Sequence, residues 1–153
     1  MLIKVTLCNY AHLNVVFYVD STKLHGLIVA FQNQGRVAWY NGEFTVTQAK
    51  GRAIGTGAEN TRKIIISQRK GTYAATLCAS YTGGGNSDWF LPSKGELHKL
   101  HKNKDVVSGL GGFFCWSSTE IDSTKAWSQS FYNGAQSSKA KGGQLYVRAI
   151  RAF

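Results

Sequence analysis

The chain has one proline and three cysteines in 153 residues, and each scarcity narrows what it can be. With a single proline against 17 glycines, turns must be made by Gly and Asn at positive φ, as in β-rich folds with short strands. Cys8, Cys78 and Cys115 are odd in number and share no Cys-x-x-Cys or Cys/His spacing. Zinc is therefore not expected. Three buried thiols is the favoured reading, with one disulfide plus one free thiol as the alternative in an exported chain. Acidic residues are also few, eight against 18 Lys and Arg, for a formal charge of +10. The bases form small clusters, Arg62/Lys63, Arg69/Lys70 and Lys99/Lys102/Lys104, with no run of five. No polybasic tail is present. Long apolar runs are missing as well. The opening "MLIKVTLCNYAHLNVVFYVD" is interrupted by Asn9, His12 and Asn14, so it reads as neither a membrane span nor a good signal peptide.

Catalytic grammar is equally thin. There is no G-x-S-x-G, no H-E-x-x-H, and no kinase, Walker or zinc-deaminase signature. The glycines of "AKGRAIGTGAENT" do not fit a phosphate-cradling loop. Glu120 and Asp122, two apart, would share one face of a strand. Their Ser/Thr surroundings and the missing calcium-loop spacing disfavour both a hydrolase using the pair and a calcium site completed by loop oxygens. The sequence calls for no metal, no cofactor and no catalytic residue.

What is present is a chain 43% hydrophobic, 12% aromatic and only 17% charged, well removed from disordered composition. Its length suits one domain over residues 1–153. "LNVVFYVDS" and "HGLIVAFQ" read as a hairpin, and Asn60 or Thr61 as the cap of a helix through "RKIIISQRK". Thr72 would start a second helix through "YAATLCASY". After Pro92, Ser93 and Glu96 form a capping box for a third, with Leu97 and Leu100 inward and Lys94, His98, His101 and Lys102 outward. "GGFFCWSST", "KAWSQSFYNG" and "QLYVRAIRAF" read as strands, the last running unbroken to the terminus. Helices in one block and strands in others give an α+β class.

Four pieces in order, "DWFLPSKGEL", "WSSTE", "AW" followed by "F" and "G", and "VRAIRAF", resemble one family. The chain resembles DUF1566, also called the C-terminal domain of Legionella collagen-like adhesins, and the likeness extends over nearly its whole length. The resemblance implies a C-type-lectin-like fold with two main helices and a mixed, mostly antiparallel sheet bringing the termini together. It also implies an extracellular or bacterial-surface binding domain, trimeric when it follows a collagen-like stalk. Asp88, Trp89, Leu91 and Pro92 match the family's "DWxLP", and Trp116, Ser117 and Ser118 its "WSS"; these are read as scaffold. The chain departs from the pattern at Gly95, at Cys115 and in "HLNVVFY" where the family has "GGxVFY".

Two binding readings follow. In the first, a non-enzymatic adhesin domain holds sulfated or acidic polysaccharide with Lys94, Lys99, Lys102, Lys104, Lys125, Lys139 and Lys141. In the second, host or cell-surface protein is bound by a varied loop face, as in targets of diversity-generating retroelements. That face comprises Asp122, Ser123, Thr124, Ser128, Ser130, Tyr132, Asn133, Gln136, Ser137 and Ser138. Nucleic acid, attracted by charge alone, is disfavoured for an exported domain.

Overall fold

Val15–Val19 (β1) and Gly26–Val29 (β2) pair antiparallel, Val15 opposite Val29 and Val19 opposite Gly26, as the richness in Val, Phe and Tyr predicts. The computed structural model describes residues 14–153; the readings that fall on 1–13, including Cys8 and the apolar opening stretch, lie outside the described residues. Gly35–Val37 (β3) follows. Three helices come next: Gly57–Gln68 (α1), Ala74–Ala79 (α2) and Lys94–Lys102 (α3). Five strands complete the chain: Phe114–Glu120 (β4), Lys125–Ser130 (β5), Gln136–Ala140 (β6), Leu145–Val147 (β7) and Ile150–Ala152 (β8).

The strands form two sheets, β1-β2-β8 and β3-β7-β4-β5-β6. Every pairing is antiparallel except β4 with β7, which run parallel through Cys115 and Tyr146. The class is α+β, as expected, with the three α-helices that the residues predict and strands divided between two sheets.

The terminal strand is not continuous. "QLYVRAIRAF" pairs with β3 as β7, leaves that sheet at Arg148-Ala149, and joins β2 as β8. Arg148 is the reason. Its guanidinium, fully buried, donates to the carbonyls of Ala30, Phe31, Ser108 and Gly109, while Nε donates to Asn33 Oδ1 at 2.9 Å. A buried cation without a carboxylate is tolerated only when its donors are met this completely.

Helix starts also differ from expectation. α1 begins after Thr56, so Asn60 and Thr61 are interior residues of a buried stripe with Gly57, Ile64 and Gln68, at helical spacing. Their side chains reach across the fold rather than cap: Asn60 Nδ2 donates to Gly51 O and Ser118 Oγ, and Thr61 Oγ1 accepts from Leu91 N. α2 is capped by Tyr73 with Thr76 answering, not by Thr72. For α3 the capping box is as read: Ser93 Oγ accepts from Glu96 N and Glu96 Oε2 from Ser93 N at 2.7 Å.

Two apolar clusters result. One gathers Trp39, Ile64, Tyr73, Cys78, Trp89, Leu91 and Trp116 beneath α1 and α2; the other gathers Phe17, Leu27, Phe90, Leu97, Leu100, Cys115, Phe131 and Ile150 around α3. Removing a buried indole such as Trp116 would cost about 3–5 kcal/mol. Cys78 and Cys115 are free, buried thiols; burial pushes both upward, Cys115 to about 12, so neither is a reactive thiolate.

Candidate functional site

α3 lies across β5, and the contact is built by two periodicities meeting. Lys94, His98 and His101 recur at helical spacing on one side of α3, and Trp127, Gln129 and Phe131 alternate on one face of β5 and the residue after it. Lys94 Nζ sits 3.5 Å above the Trp127 ring centroid, and the His101 ring meets Phe131 edge-on at 5.6 Å. His98 and His101 stack at 6.4 Å.

A second cation shares that indole. Arg52 Cζ lies 5.9 Å from the Trp127 centroid, brought there by a loop that α3 holds through Gly95 N donating to Arg52 O at 2.7 Å and Ser93 Oγ donating to Ala53 O. A Cβ at Gly95 would stand 2.6 Å from Arg52 O. Any side chain at this position, where the chain departs from the family's pattern, would push the loop away, so Gly95 permits the approach. Glu96 anchors the same loop: its buried carboxylate accepts from Gly55 N and Gly57 N, and burial raises its pKa against those bonds. Lys94 is held below the ordinary lysine range, first by burial and then by the charge of Arg52.

The remaining lysines of the first reading are distributed unevenly. Lys99 lies 5.0 Å from the Tyr18 ring and Lys139 5.0 Å from that of Phe114, while Lys102 and Lys125 are exposed. Lys104 Nζ donates to Phe131 O. Lys141 does not belong to this surface. It is fully buried, its Nζ 2.7 Å from Glu120 Oε1, because Glu120 at the end of β4 supplies a carboxylate in the interior. Burial alone would raise Glu120; the bond from Lys141, the Thr47 amide and the lysine's charge together hold it below its ordinary value.

The loop face of the second reading is also only partly a surface. Ser128 and Ser130 are buried on β5, Ser128 Oγ donating to Ser137 O, because β6 closes over that strand. Tyr132 is 81% exposed and Asn133 and Ser138 are open to solvent, whereas Gln136 donates to Lys94 O and ties β6 to α3. Asp122 accepts from Thr124 N, Thr124 Oγ1 and Lys125 N, fixing its own turn beside Ser123. Glu120 and Asp122 therefore face different partners and form no carboxylate pair.

The motif residues hold the frame. Trp89 and Trp116 are buried; Ser117 Oγ donates to Trp127 O, and Ser118 N to Pro92 O. Asp88 sits outside, in a two-point pair with Arg151. Residues missed by the sequence reading are Arg52 and Trp127, which approach Lys94 from distant segments with no local spacing to announce them. No group of three or more His, Cys, Asp or Glu that would hold a metal occurs among the described residues, and no described helix is long and apolar enough to cross a membrane.

Residues 29–151 match the family described as the Lcl C-terminal domain. The chain belongs to the Lcl C-terminal domain family. No curated protein matches it. Among solved structures it is similar to a fimbrial protein from Bacteroides ovatus, with a TM-score of 0.51 and 16% identity over 82% of this chain. The match spans 35% of the fimbrial protein, about a third of its length, and at that identity it speaks for the α+β fold alone. Within the Lcl C-terminal domain frame, then, the "WFLP" and "WSS" segments are interior supports and the cations of α3, the 52 loop and β5-β6 are outward.

Proposed function

We propose that this Lcl C-terminal domain is a non-enzymatic, surface-displayed adhesin-type module that binds sulfated or acidic polysaccharide. The observation that carries the reading is the uneven use of charge. Among the described residues only Lys50, Arg62, Lys141 and Arg151 stand within ion-pair distance of a carboxylate. Most carboxylates are already engaged: Asp20 and Asp122 in turns, Glu96 in the capping box, Glu59, Asp88 and Glu120 in pairs. Lys94, Lys99, Lys102, Lys125, Lys139 and Arg52 are left as uncompensated surface cations, an arrangement suited to a repeating anion rather than to a deep pocket. A C-type-lectin-like topology and trimeric display, which would multiply weak contacts by avidity, belong to the same proposal.

The test is elution from immobilised heparin beside a cation exchanger of matched charge. Later elution from heparin, reduced when Lys99, Lys102 and Lys104 become Ala, supports the reading; equal elution from both columns removes it.

A protein-binding reading is favoured by one separate observation. Phe113, Phe114 and Tyr132 are 40%, 41% and 81% exposed near one end of β4 and β5, an apolar grouping that commonly marks a contact surface. It predicts a salt-insensitive complex abolished by Tyr132→Ala.

A further inference from the structure

We infer that Arg52, Lys94 and Trp127 form an anion subsite that takes a sulfate ester or carboxylate borne on a sugar ring; this rests on the polysaccharide reading above and assigns its first contact.

Two like charges are placed on one indole without a carboxylate between them, Lys94 Nζ at 3.5 Å and Arg52 Cζ at 5.9 Å from its centroid. The placement is built rather than incidental. Gly95 N and Ser93 Oγ hold the Arg52 segment from one side, and Gln136 Nε2 holds the Lys94 carbonyl from the other at 2.8 Å. These ties hold the two segments side by side, so an anion placed between the cations would offset their repulsion. Lys125 stands two residues before Trp127 and therefore on the same face of β5, exposed, and Ser138 opposite Trp127 adds an exposed hydroxyl. The guanidinium offers a planar fork and the ammonium a mobile point charge, a pair that bridges separate oxygens of one anionic group.

Trp127 adds the second recognition element. Its ring is half-buried, and its Nε1–H has no hydrogen-bond partner among the described residues, unlike Trp39, Trp89 and Trp116, which donate to Ser117 O, Gly83 O and Val37 O. An anion that draws Lys94 off the ring exposes an aromatic face with a cationic rim, which suits a ring-bearing ligand better than a free inorganic ion.

The experiment follows the Trp127 indole N–H resonance of the full chain during titration with a sulfated oligosaccharide, a polyuronate of equal charge and a single-stranded oligothymidylate. Expected is a Trp127 shift with the sugar polymers. Arg52→Gln and Lys94→Gln should each weaken binding about fivefold and each lower the salt slope by about one, with Lys23→Gln as the control. The stronger of the two sugar arms identifies sulfate or carboxylate as the group taken. Binding that persists while Trp127 stays unmoved and Arg52→Gln and Lys94→Gln behave like Lys23→Gln overturns the subsite and leaves the polysaccharide reading standing. Absence of binding to every sugar polymer overturns both. Preference for the oligothymidylate overturns the ligand class.

Discussion

Lys141 and Lys94 are the same residue type in the same basic chain, yet one is sealed inside the protein and the other lies on an indole at its surface. The difference is made by neighbours that sequence distance hides. Lys141 meets Glu120 at 2.7 Å in a site with no solvent contact on either side chain, whereas Lys94 meets only Arg52 and Trp127. A positive charge is therefore no sign of a binding surface until its carboxylate partners are known.

The sharpest way to break this contrast is Glu120→Gln. It leaves the Lys141 ammonium buried beside a neutral amide, so the domain should lose about 3–5 kcal/mol, a fall of roughly 10 °C in melting temperature. Adding Lys141→Met should recover most of that loss. The pair also gives the acid limb of stability its sign. Glu120 has a folded pKa below its ordinary 4.5, so the stability it contributes is present above that pH and lost as pH falls through the folded value. A melting series should flatten below about pH 4.5 in the double variant.

Arg148 sharpens the comparison, being a third buried or half-buried cation, met by carbonyls instead of a carboxylate. Arg148→Met should cost about 3 kcal/mol, measured by urea denaturation, because several buried acceptors are left without a donor. Smaller is Ser93→Ala, which removes the α3 cap and the bond to Ala53 O, for a loss of about 1–2 kcal/mol. It should also weaken sugar binding by releasing the Arg52 segment.

His101 probes the α3-β5 seam. Its ring nitrogens, together with His98 Nδ1, Trp127 Nε1 and Gln129 Oε1, are shielded without partners, and burial, then the charges of Lys104 and His98, hold its pKa below 6.5. The fold binds fewer protons there than the unfolded chain does, so stability falls as pH drops below about 6.5. His101→Gln should remove that dependence. The smallest effect on folding is expected for Lys94→Gln, within ~0.5 kcal/mol by thermal melting, although under the proposed function it should weaken binding.

What the sequence disclosed was mostly local. The Ser93/Glu96 box lies within one helical turn, and the β1-β2 hairpin is announced by its Val, Phe and Tyr content, broken at Asp20-Ser21. Asn60 and Thr61 misled because good capping residues also serve as buried donors to distant backbone, here at Gly51 and Leu91. "QLYVRAIRAF" hid its break because Arg148 looks like an outward residue of an alternating strand until the carbonyls of residues 30, 31, 108 and 109 converge on it. The Trp127 cluster was illegible for a related reason: its three members come from a loop, a helix and a strand joined only by tertiary packing.

The Arg148 crossing also sets how the domain would carry mechanical load. Tension applied at Phe153 first strains the short ladder between β8 and β2, then arrives at a side chain bolted to two separate segments of the chain. Beyond that bolt lies β7, a strand of the same sheet that carries Trp127 on β5. Peeling of the last strand should thus be arrested at Arg148 before the sheet that carries Trp127 is disturbed.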